Sequence, residues 1–423
     1  MEKPVSELPQ HTSAASAAPA QPSGWKRRVV GVVAAGLIAW YGLTRLQTCG
    51  TSRDPVEEVL SLQPLTDGHN DFPFFLRKFY HNHIYQSNFS DQISLPYHVD
   101  FPRLVQGRVR GQFWSVYVDC NETDPEPDYT YIHDTLQQID LVRRLAELYP
   151  EHLEIVPDTT AFRHTFEASP SKIASFLGVE GLHQIGHSPA TLRLYHSLGV
   201  RYTTLTHACH NKYADSATPT TPRHNGLSAA GRAMVLEMNR LGMAVDLAHV
   251  SAKTMHDALD TSKAPVIFSH SSAYAVCPHP RNVPDDVLHR VAEKDGIVMI
   301  TFLPEYTRCD DPASATLSDV ADHIQHVGEL IGYQYVGLGS DFDGMERTIK
   351  GLEDVSKYPD LIAELLRRGV SVRDVAGVIG GNILRVMGEI EQVSKQMIED
   401  GITPLEDDEV DNEVNNEVEI EMP

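Results

Sequence analysis

AVDLAHV at residues 244–250, followed by VIFSH at residues 266–270, decides the fold. Each is a short apolar run that stops on a histidine, His249 and then His270. Working outward, the same construction recurs. TTLTH (203–207) stops on His207 and FLGVEG (176–181) carries Glu180. LTDGHND (65–71) carries His69 and Asp71, and VGLGSDFDG (336–344) carries Asp341. In a parallel α/β sheet the C-terminal ends of the strands form the face on which sites are built. Acid and imidazole side chains set repeatedly at such ends describe a metal-binding site assembled by the fold. No single residue would justify that reading; their regular placement does.

Eight β-branched or apolar runs are expected as strands: 62–66, 113–118, 174–179, 202–206, 244–248, 266–269, 297–302 and 335–339. The stretches between them carry helical periodicity. Residues 134–148 read as a helix, as do 228–241, ended by Gly242 in a left-handed cap. Ser318 is expected to cap a helix whose inner stripe is Val320, Ile324, Val327 and Ile331. Residues 284–292, with Pro284 in the first turn, and 355–366 complete the set. Eight strands alternating with helices favour an α/β fold of the (β/α)8 TIM-barrel type, with a doubly wound open sheet as the competing architecture. No GxGxxG or phosphate-binding loop supports a nucleotide-binding version of the latter. The stretch 72–112 reads as an insertion between the first two strands that covers the site.

The formal charge of -23 argues against nucleic acid as a partner, since phosphate binding needs a basic face. Residues 1–24 are rich in Ala, Ser, Pro and Gln and read as a disordered tail. Lys26, Arg27 and Arg28 then precede 16 uncharged residues, Val29 to Thr44. With Leu46 and the snorkelling arginine stems, 25–46 is expected to be a transmembrane signal anchor. The basic flank sets its N-terminus in the cytosol and the remainder on the extracytoplasmic side. A cleaved signal peptide, leaving a secreted protein, is the alternative. A linker (47–59), a barrel domain (60–393) and an acidic, disordered tail (394–423) follow.

The five cysteines, Cys49, Cys120, Cys209, Cys277 and Cys309, form no CxxC pair, which disfavours a structural zinc knuckle. The last four could make two disulfides in an oxidising compartment, and spacing does not choose among three connectivities. Asn88 (NFS) and Asn121 (NET) are glycosylation sequons, usable in an exported domain.

His69 and Asp71, two residues apart on an extended segment, share one face and offer nitrogen and oxygen to a borderline divalent cation. Glu180, at the end of an apolar run, would be costly as a bare buried carboxylate; bridging two cations reverses that cost. His249 and His270 could serve the second cation. With Glu180 they leave a coordination position open for water, the pattern of a catalytic site. Hydroxide generated there is nucleophilic near neutral pH. Asp341 could take its proton and pass it to a leaving amine, with Asp343 as competitor. His207 could donate to a developing oxyanion, or be a core histidine satisfied by backbone. His183 and His187 are lesser ligand candidates, because they fall after a strand rather than at its end.

Here the sequence resembles the membrane (renal) dipeptidase family of zinc peptidases. The likeness is dense in TDGHND, GVEG, LTHACHN, DLAHVS, FSHSSAYAVCPHPRNVPDDVL, VGLGSDFDG and GLEDVSKYPDLIAELLRRG, and spans residues 60–391. It implies a (β/α)8 barrel of the metallo-amidohydrolase type holding two zinc ions. His69 and Asp71 match the family's ligands for the first, Glu180 the bridging carboxylate, and His249 and His270 the ligands for the second. Asp341 matches the catalytic acid/base and His207 the substrate-contacting histidine. Arg281 matches the arginine that receives the substrate's C-terminal carboxylate, and Tyr306 a pocket tyrosine near the oxyanion. The family pattern pairs Cys120 with Cys209 and Cys277 with Cys309, leaving Cys49 unassigned.

Three features depart from the better-known members. Those carry a lipid anchor at the C-terminus, whereas this chain has an N-terminal hydrophobic segment. Their dimer-linking cysteine has no counterpart here, which puts a covalent homodimer in doubt. His279 and Pro280 precede Arg281 and would alter the carboxylate pocket. Zinc-dependent hydrolysis of dipeptides is therefore the expectation. Hydrolysis of another amide such as a β-lactam, or ligand binding without turnover on the same barrel, are the alternatives.

Overall fold

The computed structural model describes residues 54–86, 88–89, 95–121 and 129–407. The expected N-terminal tail, the hydrophobic segment, Cys49 and the acidic residues from 408 lie outside them. Among the described residues no helix is long and apolar enough to cross a membrane.

The strands, in chain order, are β1 (Leu65–Asn70), β2 (Val109–Val116), β3 (Leu153–Ile155), β4 (Ile173–Val179), β5 (Val200–Thr204), β6 (Ala244–Asp246), β7 (Val266–Phe268), β8 (Ile297–Ile300) and β9 (Val336–Leu338). All pair in parallel, in the order β2-β1-β9-β8-β7-β6-β5-β4-β3, and β2 pairs with β4 as well. That last pairing, with Phe113 opposite Phe176, closes the ring. β3 is an extra strand: Leu153 lies opposite Ile173 at the start of β4, and β5 takes over the same edge further along at Leu177. The other eight strands make a (β/α)8 barrel, as the alternating pattern implied.

Phe113, Phe176, Tyr202, Ile267, Ile297 and Met299 come from five strands around the ring and belong to one apolar cluster, so they converge inside it. Ile383, Leu384 and Met387 of the helix Asn382–Glu399 join that cluster and close one end of the barrel. Helices such as Ala229–Leu241 and Leu317–Ile331 turn an apolar face to the outer side of the ring. Ser228 caps the first of these and Gly242 ends it in a left-handed conformation, as expected.

Several boundaries differ from the sequence reading. Pro55–Leu62 is helical, with Asp54 as its N-cap, so the linker is shorter than expected. The first strand therefore begins at Leu65, beyond Pro64, and runs through the polar string DGHN, every residue of it buried. The cap of the helix Leu317–Ile331 is Thr316, which forms a capping box with Asp319; Ser318 lies inside the first turn. Pro284 is itself the N-cap of Asp285–Glu293. The last helix continues to Glu399, and Leu405 accepts from Arg193 and donates to Glu237, so ordered chain extends past residue 393.

The strand ladders at β6 and β7 stop short of the histidines for a local reason. Asp246 Oδ1 accepts the backbone N–H of Ala248 (3.0 Å) and of Ser269 (2.9 Å), drawing both away from strand pairing. Asp67 does the same at the seam between the first and last strands. Its Oδ1 accepts from His69 N (3.2 Å) and Ser340 N (2.8 Å). Its Oδ2 accepts from Ser340 Oγ and from the Tyr358 phenol.

Candidate active site

The end of β1 and the turn after β9 hold one another. Asp71 N donates to Phe342 O (2.9 Å) and Asp341 N to His69 O (3.1 Å). His69, Asp71 and Asp341 are thereby brought together across the barrel seam. His69 Nε2 lies 3.2 Å from Asp71 Oδ2, 3.7 Å from Glu180 Oε1 and 4.0 Å from Asp341 Oδ1. From the other side His249 Nε2 approaches Glu180 Oε1 to 2.9 Å and His270 Nε2 to 3.4 Å. His207 Nε2 stands 4.0 Å from the same oxygen. Five expected residues from four strand ends, His69, Asp71, Asp341, His249 and His270, thus gather around the Glu180 carboxylate, with His207 at its edge.

His249 and Asp341 adopt left-handed backbone conformations, with φ of 71° and 68°. Such conformations cost about 1–3 kcal/mol and persist where surrounding contacts over-determine them. His249 O accepts from Ala217 N (2.7 Å) and Ser216 Oγ (3.3 Å). Asp341 O accepts from Gly344 N, and a Cβ at Gly344 would collide with the carboxylates of Asp71 and Asp341. The glycine of SDFDG is therefore required by the packing of the two acids.

The electrostatics of these groups fit divalent cations. Burial, with Asp71 and Asp341 nearby, pushes Glu180 up to about 8. Burial likewise pushes Asp341 up to about 7. Burial alone would lower His69, but Asp71, Glu180 and Asp341 outweigh it and raise the imidazole to about 10. Burial, the Arg281 charge and neighbouring imidazoles drive His249 and His270 well down, leaving them neutral with a lone pair to offer. His69 Nε2 and Asp71 Oδ1 are buried without a hydrogen-bond partner. Three overlapping donor sets result: His69, Asp71 and Glu180; Glu180, His249 and His270; and His69, His270 and Asp341. Glu180 joins the first two, and cations there would replace the protons that crowd the site.

A cleft of about 290 Å³ opens over this cluster, lined in part by Asp71, Glu180, His207, His249 and Asp341. Arg281 and Tyr306 also line it, the guanidinium carbon 5.2 Å from the Tyr306 ring centre. Arg281 is 3% exposed and its Nε and Nη1 have no partner. His279, next but one in sequence, accepts the Arg281 N–H at Nδ1 (3.2 Å) and lays its ring 4.5 Å from that of Tyr306. The unexpected His279 thus braces the cleft wall that carries Arg281 and Tyr306.

Other candidates fall elsewhere. His183 Nε2 bonds the Val118 carbonyl, and Asp343 accepts from His98 N in the insertion. Phe74, Tyr117, Asp119 and Leu303 line the cleft without having been anticipated. Tyr117 follows β2 as the ligands follow their strands, so its position was the available signal; its ring packs edge-on to His207 at 4.7 Å. The two disulfides join Cys120 to Cys209 and Cys277 to Cys309, the pairing the resemblance implied.

Comparison with known proteins agrees with this geometry. Residues 53–401 match the family model for membrane dipeptidase, peptidase family M19. The dipeptidase aclJ of Aspergillus oryzae is 58% identical over 361 residues, 85% of this chain and 85% of that protein. The dipeptidase tcpJ of Claviceps purpurea is 49% identical over 352 residues, covering 81% and 82% respectively. Among solved structures, a metallopeptidase from Rhodobacter sphaeroides, liganded with a phosphinate mimic of the dipeptide L-Ala-D-Ala, superposes with a TM-score of 0.70 at 25% identity. The match covers 78% of this chain and 99% of that one. Dipeptidase AC, a metallopeptidase of family M19, gives 0.70 at 26% identity, covering 78% and 98%. With the metal-ligand clusters already in place, these likenesses make the chain a metallo-dipeptidase that belongs to the membrane dipeptidase family.

Proposed function

We infer that the protein hydrolyses the single amide of free dipeptides with two zinc ions, one held by His69 and Asp71, the other by His249 and His270, with Glu180 shared between them. The observation that carries this is Glu180 Oε1, which lies within 3.7 Å of the Nε2 atoms of His69, His249 and His270 at once. Bound there, zinc supplies an activated water near neutral pH and polarises the scissile carbonyl.

The chain's own residues do the rest. Arg281, buried and with open donors, fixes the substrate's C-terminal carboxylate through a guanidinium fork. Asp341 Oδ1 takes a proton from the attacking water and delivers it to the leaving amine, a task suited to a carboxyl raised to about 7 by burial. His207 is kept neutral, its proton affinity driven well down by burial, and donates from Nε2 toward the developing oxyanion. Tyr306 closes the wall beside Arg281. The dipeptide mimic bound by the Rhodobacter relative supports a dipeptide in this cleft.

The purified protein should hydrolyse a small dipeptide panel, lose activity on chelation and regain it with zinc. Asp341→Asn should retain both metals and lose most of kcat. No turnover with two metals bound would sink this reading in favour of a binding protein. A carboxylate-bearing β-lactam run alongside separates the two hydrolase readings, since Arg281 suits either substrate.

The catalytic domain is further assigned to the extracytoplasmic side, anchored through residues 25–46. The hydrophobic segment, two disulfides and the exposed sequon residues Asn88 and Asn121 support this assignment. Protease protection of the domain in intact microsomes, lost on detergent treatment, tests it.

A further inference from the structure

The loop that follows β2 carries Tyr117 and Asp119, and both line the cleft. Its backbone is fastened on either side of Asp119. The Gln138 amide donates to the Tyr117 carbonyl, and His183 Nε2 bonds the Val118 carbonyl at 2.9 Å. Cys120, the next residue, is bridged to Cys209, two residues beyond His207. The Tyr117 ring is held as well, packed edge-on to His207 at 4.7 Å and to Phe74 at 5.0 Å. Its phenol donates to Asp119 Oδ1, and burial together with that bond keeps the phenol protonated. Asp119 is therefore an exposed carboxylate on a fixed support, as a recognition group needs to be.

The charges of the cleft leave this carboxylate unspent. Four carboxylates line it among the described residues: Asp71, Asp119, Glu180 and Asp341. Asp71 and Glu180 belong to the metal-ligand sets, and Asp341 carries the proton. The hydrogen bond from Tyr117 is the only one to the Asp119 side chain among the described residues. An ionised carboxylate has about four lone-pair sites, so most of its accepting capacity faces the cleft. A free dipeptide is a zwitterion, and Arg281 answers only its carboxylate. The ammonium is one carbon from the scissile carbonyl, so its receptor must stand beside the group that meets the oxyanion. Asp119 does so, because the phenol bonded to it is packed on His207.

We propose that Asp119 is a specificity-determining residue that receives the free α-ammonium of the substrate's first residue. This rests on the dipeptidase reading above. A hydrogen bond between charged partners contributes most where water is excluded, and Asp119 is exposed, which sets the expected effect at about tenfold.

The test pairs L-alanyl-L-alanine with N-propionyl-L-alanine, which keeps the carbon skeleton and lacks the ammonium. In Asp119→Asn, kcat/KM for alanyl-alanine should fall about tenfold, chiefly through KM. The value for propionyl-alanine should stay parental; where its turnover is too slow to follow, its inhibition constant against alanyl-alanine takes the place of kcat/KM. Metal content and melting temperature should match the parent, because the side chain is exposed and holds no metal.

Equal losses on both compounds, or no loss on either, overturn the assignment. So does a loss confined to dipeptides that begin with lysine or arginine, which would make Asp119 a receptor for a basic side chain. A parent protein that holds two metals and turns over no dipeptide overturns the dipeptidase reading instead. Calorimetric binding of the same two compounds to the parent and to Asp119→Asn still reads Asp119 in that case: weaker binding of alanyl-alanine alone supports the ammonium contact, and any other pattern refutes it.

Discussion

Arg281 is a cation buried to 3% exposure with donors unspent, an arrangement that is costly unless an anion arrives. A hydrogen bond to a charged group contributes about 1.5–3 kcal/mol, on the order of 10–100-fold in kcat/KM. Arg281→Ala should lose that much on a free dipeptide and little on its C-terminal amide, and Arg281→Lys should recover only part, lacking the planar fork. Equal losses on both substrates in steady-state kinetics would remove Arg281 from carboxylate recognition. The acids and His69 make a second prediction. Glu180 raised to about 8, Asp341 to about 7 and His69 to about 10 are all largely protonated below neutrality. Cations must displace those protons, so zinc affinity should rise as pH climbs from 6 to 8, by about tenfold per unit for each proton released. Calorimetric titrations in buffers of different ionisation heat count the protons; none released at pH 7 contradicts the site's electrostatics.

At the scale of elements, the site is built by loops that the barrel aims. The Cys120–Cys209 bridge ties the loop after β2, which carries Tyr117 and Asp119, to the loop after β5, which carries His207, and closes a sequence separation of 89 residues. Replacing both cysteines by serine should cost about 2–5 kcal/mol in denaturant unfolding. It should also raise KM as the wall of the cleft loosens; a destabilised enzyme with unchanged KM would limit the bridge to a stability role. How far the elements were legible follows the same physics. The apolar runs and the acids and histidines at their ends were readable, because a barrel strand must be apolar along most of its length and its functional groups gather at one rim. β1 was misplaced because DGHN looks like a turn; it is buried polar strand only because Asp67 finds Ser340 and Tyr358, and His69 finds Tyr202, none nearby in sequence. β3 is three residues with one buried, too little pattern to detect. Asp246 and Asp67 were visible as charges inside apolar runs, but their role in ending the ladders needs the neighbouring strand to be seen.

For the whole molecule, the core and the metal site are separable. The barrel interior is packed by apolar side chains and closed below by the last helix, so it does not depend on cations for its shape. Chelation should therefore remove about 4 kcal/mol of unfolding free energy, relative to free zinc 1,000-fold above its dissociation constant, and so lower the melting temperature while leaving far-ultraviolet circular dichroism unchanged. Collapse of the secondary structure on chelation would mean that the metals hold the fold together.

The seam between β1 and β9 has a temporal meaning. His69 and Asp71 emerge from the ribosome early, and Asp341 more than two hundred residues later, yet each is held by hydrogen bonds to the other's segment. A nascent chain carries all five proposed ligands, His69 to His270, before the turn after β9 is made, and that turn supplies the backbone partners that hold the first two. Peptide-cleaving competence thus arrives as a final event of synthesis, and a chain truncated before Asp341 is silent rather than partly active.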